Sequence, residues 1–293
     1  MSARFRFARH SLFGLCLLAT VPAQACTIRL GPMQTAVIAY DPFITAATEG
    51  WVRVTADLVD GDRCSAIVRL TDDSGQLART IGFGPAGAVS FRPELRPGAG
   101  VGDARDGSGA DVELTTDHSH VQIEWHLAPL GDAVLAPGDY AQPLRAALDP
   151  GGADQVSAGT LTLRSIARAQ ANIAGAAGNF DAGSNAAVID LGEMKTGSTG
   201  HAFLQLRANT AAHISFSSEH RGMLVNESAP QSAIRYSLSL AGTPVPLSAT
   251  TIRTVDPPAS LRGNSMELGV TVGDVSGALA GRYSDTITID VSP

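Results

Sequence analysis

The chain has 293 residues, 44% apolar and 17% charged, with 5% aromatic residues and a formal net charge of −7. This much apolar content can bury one or two cores and excludes an intrinsically disordered chain. The 31 glycines and 16 prolines are too many for a helical bundle or coiled coil, so an all-β chain with many turns is expected.

Residues 1–25 carry Arg4, Arg6 and Arg9, then an apolar run from Leu12 to Val21 and the small-residue end Ala23-Gln24-Ala25. These are the zones of a secretory signal peptide, with the exported chain starting at Cys26. Without that segment the charge is −10, and the one lysine is Lys195. Such a chain lacks the clustered cations that would make nucleic acid or an anionic membrane surface its main partner. No later run reaches membrane-spanning length, so no membrane insertion is expected. Cys16 leaves with the signal, and the remaining pair, Cys26 and Cys64, is expected to form one disulfide in an oxidising compartment. The rival reading, a lipid-anchored Cys26, lacks the usual Leu at Ala23 and small residue at Gln24.

Period-two alternation predicts strands over 51–59 and 65–70. The run Ile81-Gly82-Phe83-Gly84-Pro85 reads as a hairpin tucking Phe83 into the core or as an exposed apolar loop. In the exposed reading, Ile81, Phe83 and Pro85 would grip a surface. The glycines from Gly98 to Gly102 lead into Asp103-Ala104-Arg105-Asp106, a loop rather than a nucleotide-binding fingerprint. Over 118–127, Val121, Ile123, Trp125 and Leu127 face one way. His118, His120, Glu124 and His126 face the other, as a solvated ladder or as ligands for zinc or nickel. Same-strand ligands about 6–7 Å apart need a second strand to close such a site. Asp117-His118-Ser119 is contiguous and no G-x-S-x-G elbow occurs, so no catalytic relay and no enzymatic activity is expected.

Two places share a pattern, Gly138-Asp139-Tyr140 and Gly281-Arg282-Tyr283, each at the entrance to a strand. They divide the exported chain into halves of sandwich size, 26–165 and 166–293. A polar break at 151–155 precedes a strand over 160–164, expected to finish the first half. Residues 164–177 have helix-favouring composition. Further strands are predicted over 186–191, 202–208, 213–218, 234–240 and 266–272. In the last strand of the chain, Tyr283, Ile287, Ile289 and Val291 share a face. Asn226-Glu227-Ser228 fits a glycosylation acceptor but reads as turn polarity.

The closing run Ala280-Gly281-Arg282-Tyr283-Ser284-Asp285-Thr286-Ile287-Thr288-Ile289 resembles the ending of the spore coat protein U family, subunits of archaic chaperone–usher pili. Val188-Ile189-Asp190-Leu191-Gly192, Ser218-Glu219-His220-Arg221-Gly222-Met223-Leu224 and Ile234-Arg235-Tyr236-Ser237-Leu238 resemble its earlier motifs in the same order. The first half resembles it more loosely through Cys26-Thr27-Ile28, Tyr40-Asp41-Pro42-Phe43, Cys64 and Gly138-Asp139-Tyr140. Two departures are the absence of cysteine from the second half and a Gly/Asp-rich insertion near 98–111.

The resemblance implies two tandem immunoglobulin-like pilin β-sandwich domains, the second lacking its final strand, with Gly281, Tyr283 and Asp285 as structural motif residues. It implies a tip adhesin that accepts a strand from an adjacent subunit but has no N-terminal segment to donate. The implied partners are a periplasmic pilus chaperone, an outer-membrane usher and a host or abiotic surface, with no cofactor. The implied place is a pilus at the cell surface, reached through the periplasm, and the implied role is attachment and biofilm formation. The alternative is a self-sufficient carbohydrate- or metal-binding sandwich.

Overall fold

The computed structural model describes residues 26–44, 49–131, 133–149, 155–180 and 184–293. The signal-peptide segment and residues 151–154 of the polar break lie outside these. The chain is all-β, and its strands build two separate apolar cores.

The first unit contains β1 (Thr27–Leu30), β2 (Gln34–Thr35), β3 (Val37–Tyr40), β4 (Trp51–Asp60), β5 (Arg63–Asp72), β6 (Ile81–Phe83), β7 (Val89–Arg96), β8 (Val101–Asp103), β9 (Ala110–Thr115), β10 (His120–Pro129), β11 (Gly138–Asp149) and β12 (Val156–Ser165). One sheet runs β1-β4-β10-β7-β6, with β2 also on β4, and the other runs β3-β12-β11-β5-β9-β8. Alternation buries one face of each. On β10, Val121, Ile123, Trp125 and Leu127 enter the core while His120 and Gln122 stay outside. The Cys26–Cys64 disulfide, 5.6 Å between Cα atoms, ties the start of β1 to β5 and so joins the two sheets. It sits at the end of the sandwich opposite Gly138 and Ser165, as the registers of β5, β11 and β12 require.

The second unit contains β13 (Ala169–Ala174), β14 (Thr199–Ala208), β15 (Ala212–Ser218), β16 (Met223–Asn226), β17 (Ala233–Leu240), β18 (Thr243–Val245), β19 (Thr251–Val255), β20 (Asn264–Val272), β21 (Tyr283–Ser284) and β22 (Ile287–Ser292). Its larger sheet runs β13-β14-β20-β17-β16-β21, with β18 on β17, and its smaller one runs β19-β15-β22.

Two expectations are corrected here. The stretch over 164–177 is not helical: β13 forms within it, because pairing with β14 outweighs a weak alanine preference and leaves Ala169, Ala171 and Ile173 against the core. Residues 186–191 form no strand. Ile189 and Leu191 instead fill the space over Gly200, where β14 carries no Cβ, so they pack on the face of that strand rather than pair along an edge.

The units are joined by a short segment pinned by Asn209. Its Nδ2 donates to the carbonyls of Leu135 (2.9 Å) and Ile166 (2.8 Å), and its Oδ1 accepts from the Arg168 N–H at 2.8 Å. Arg168 Nε donates to Asp41 Oδ2 at 2.6 Å, and the Arg207 guanidinium lies between the rings of Phe43 and Phe180.

Candidate functional site

Each unit turns into a late strand through the same corner. Gly138 and Gly281 both take positive φ, 148° and 154°, a region that glycine enters without a Cβ clash. Two residues later, Tyr140 and Tyr283 each donate the hydroxyl to the carbonyl four residues back, on Ala136 (3.0 Å) and Leu279 (2.7 Å). This is the tyrosine corner of immunoglobulin-like sandwiches. A Cβ on Gly281 would lie 2.5 Å from Nδ2 of the fully buried Asn226. Asn226 Oδ1 accepts from the N–H groups of Ser228 and Ala229, and this burial leaves no accessible glycosylation acceptor there.

The units diverge at the second residue beyond the tyrosine, at Gln142 and Asp285. The Asp285 side chain is 1% exposed and accepts four hydrogen bonds. Oδ2 receives Tyr236 (2.5 Å) and Ser218 (2.6 Å), and Oδ1 receives the N–H groups of His220 (3.0 Å) and Thr286 (2.8 Å). The carboxylate thus staples β15, β17 and the entry to β22 across both sheets. Burial, and then the bond to Asp285, push the Tyr236 hydroxyl well above the usual tyrosine range. The Ser218-x-x-x-Gly222 spacing belongs to the same corner, since Ser218 Oγ accepts the Gly222 N–H at 2.7 Å and Gly222 has φ 81°.

Beyond the corners the two late strands differ in their neighbours. β11 is paired on both edges, antiparallel to β5 and to β12, and β12 is in turn parallel to β3. Leu161 and Leu163 of β12 are fully buried. β22 pairs with β15 alone, and its other edge has no strand partner among the described residues. Its inward residues Ile287, Ile289 and Val291 are half-buried, as are Ala169, Ala171 and Ile173 of β13. The outer edge of β13 meets Ser184 at Ile173. β13 and β22 come within 8 Å of each other, Cα to Cα, without pairing, so a seam lined by six half-buried apolar residues separates the two sheets.

Two sets of predicted site residues are not brought together as expected. Ile81 and Phe83 are each 2% exposed, their β6 paired to β7 and the Phe83 ring set edge-on to Phe91. They are core residues and cannot grip a surface. Pro85 alone of that trio is exposed, in the 3₁₀ turn Pro85–Gly87. The ladder of His118, His120, Glu124 and His126 does not converge as a ligand set. His120 Nδ1 meets Asp57 at 2.6 Å, and Glu124 is held between Arg53 and Arg96. The group of metal-ligating side chains that does converge among the described residues is Glu219, His220 and Asp285, whose ligand atoms lie within 4.8 Å of one another. His220 and Asp285 are 65 residues apart in sequence, and the adjacent Glu-His pair gives no spacing signal by itself. No helix among the described residues is long and apolar enough to cross a membrane.

No family model matches the chain, and neither does any curated protein. Among solved structures, it is similar to the CsuC–CsuE chaperone–tip adhesion subunit pre-assembly complex from archaic chaperone–usher Csu pili of Acinetobacter baumannii. The identity is 10% and the TM-score 0.42, over 88% of this chain and 99% of that one. It is also similar to the chaperone–tip adhesin complex of CFA/I fimbriae, with 12% identity and a TM-score of 0.40 over 90% and 91% of the two chains. The CupB6 tip adhesin from Pseudomonas aeruginosa has 8% identity and a TM-score of 0.33, over 90% and 92%. Likeness of this order carries neither function nor partner to the chain.

Proposed function

We propose that the protein is a subunit of a chaperone–usher pilus whose second unit is completed by a strand added to β22, and that its first unit mediates attachment. The observation that carries this reading is the contrast between β11, paired on both edges, and β22, paired on one. An antiparallel strand laid on the open edge would satisfy the unpaired backbone groups of β22 and cover Ile287, Ile289 and Val291. Until then that edge is an aggregation hazard, which a periplasmic chaperone would mask before an outer-membrane usher hands the subunit to its neighbour. The first unit has its own strand in that place, Val156–Ser165, and needs no complement. Its disulfide-bound end, away from the second unit, is then free to meet a host or abiotic surface and to support biofilm formation. The reading is of a binding and assembly protein displayed outside the cell, without catalysis.

The test is periplasmic production of the chain with and without a pilus chaperone. A soluble one-to-one complex with the chaperone, and insoluble or degraded chain without it, is the expected result. A monomer that accumulates alone and keeps the amides of β22 as protected from exchange as those of β11 would overturn the reading.

A further inference from the structure

The geometry points to a divalent transition-metal site at Glu219, His220 and Asp285, of the kind that zinc fills with nitrogen and oxygen ligands. It is independent of whether a strand is added to β22. His220 Nδ1 is buried and makes no hydrogen bond, although the rest of the side chain is 36% exposed. It lies 3.2 Å from Asp285 Oδ1 without making a hydrogen bond to it, an ion pair only while the imidazole is protonated. A buried nitrogen without a hydrogen bond is costly, and beside a carboxylate oxygen a cation is the partner that suits both atoms. Zinc–nitrogen and zinc–oxygen bonds of about 2.0–2.2 Å at a tetrahedral angle place two ligand atoms about 3.3–3.5 Å apart. The Nδ1–Oδ1 separation of 3.2 Å lies just below that range, and close approach without a hydrogen bond is what two ligands converging on one ion require.

Glu219 supplies the third ligand. Its carboxylate is exposed, lies within 4.8 Å of the other two ligand atoms, and can close the remaining gap by side-chain rotation. Solvent provides the fourth position. Asp285 is the oriented member, fixed by Tyr236, Ser218 and the N–H groups of His220 and Thr286. Because those four donors already occupy the carboxylate's usual lone-pair positions, a metal on Oδ1 must share that oxygen with the two N–H groups, which weakens its hold on the ion. The ion would clasp the turn after β15 to the entry of β22, cross-linking the two strands of the smaller sheet beside its open edge.

The experiment uses the full exported chain, untagged and stripped with EDTA. Zinc is titrated calorimetrically and cobalt by its visible absorption, which is intense only in tetrahedral or near-tetrahedral sites. Saturable binding of one equivalent of zinc, a tetrahedral cobalt spectrum, and a loss of affinity of about tenfold or more in both His220→Ala and Glu219→Gln are expected. The His120→Ala variant should bind as the parent does. Neither His220 nor Glu219 makes a side-chain hydrogen bond to the fold, and circular dichroism confirms that each variant is folded. Absence of saturable binding at millimolar zinc, or undiminished binding in folded His220→Ala, would overturn the site.

Discussion

β11 and β22 leave the same tyrosine corner, yet one lies inside a sheet and the other at its margin. In the first unit the chain turns after β11 and lays β12 beside it, so Leu161 and Leu163 disappear into the core. In the second unit the corresponding place holds no strand among the described residues, and the inward faces of β13 and β22 stay half-exposed. The lesson is that a shared local device does not determine completeness. The corner fixes how a strand enters the sandwich, and what happens to the strand's far edge is decided by the next segment of chain.

The comparison can be broken most forcefully through the disulfide, which the second unit lacks. Closing the loop between Cys26 and Cys64, separated by 38 residues, restricts the unfolded chain by about 4 kcal/mol. Replacing both cysteines by serine should lower the calorimetric midpoint of the first unit by about 15 °C or more, at about 4 °C per kcal/mol, and leave the second unchanged. A shift in both midpoints would show that the units unfold together.

A smaller effect of opposite sign should follow from giving the second unit what the first has. A copy of the Val156–Ser165 sequence joined by a flexible linker after Pro293 should pair with β22 and raise the second midpoint by about 8 °C, or about 2 kcal/mol. Amide exchange should slow along the formerly free edge. An unchanged midpoint with rapid exchange would mean that β22 does not accept a strand.

The smallest effect sharpens the contrast between Asp285 and Gln142. Tyr236 ionises near pH 10 in the unfolded chain and well above that when folded, so between the two the unfolded state releases its proton first. Stability contributed by the neutral hydroxyl is therefore present below pH 10 and is lost as pH rises above it, by about 1.4 kcal/mol at pH 11. Urea midpoints at pH 9 and pH 11 should show this decrement in the parent chain and not in Tyr236→Phe, whose stability is lower but flatter. An equal decrement in both would remove Tyr236 as its source.

Much of this was legible in the residues. The alternation over 118–127 and the two Gly-x-Tyr patterns correspond to β10 and to the paired corners, because period-two burial and a positive-φ glycine are local constraints. The fate of Ile81 and Phe83 was not, since an apolar run between glycines looks the same whether β7 covers it or solvent does. Residues 186–191 alternate like a strand, but Ile189 and Leu191 settle over the bare face of Gly200, a space that only the assembled sheet creates. The Asp285 staple was legible only in part. The resemblance marked Asp285 and ran through the segments that hold Ser218 and Tyr236, but these lie 67 and 49 residues away, and no local spacing signals that they meet.

The chain leaves the first unit at Ser165, the last residue of β12, and passes directly into the Asn209 junction. Traction applied between the disulfide end and the second unit therefore runs along the axis of β12, held on one side by β11 and on the other by β3. Ladder hydrogen bonds lie across that axis, so the pull shears many of them at once instead of peeling them in sequence. The strand that completes the first sandwich is then also its mechanical clamp, resisting tension better along its own axis than across it.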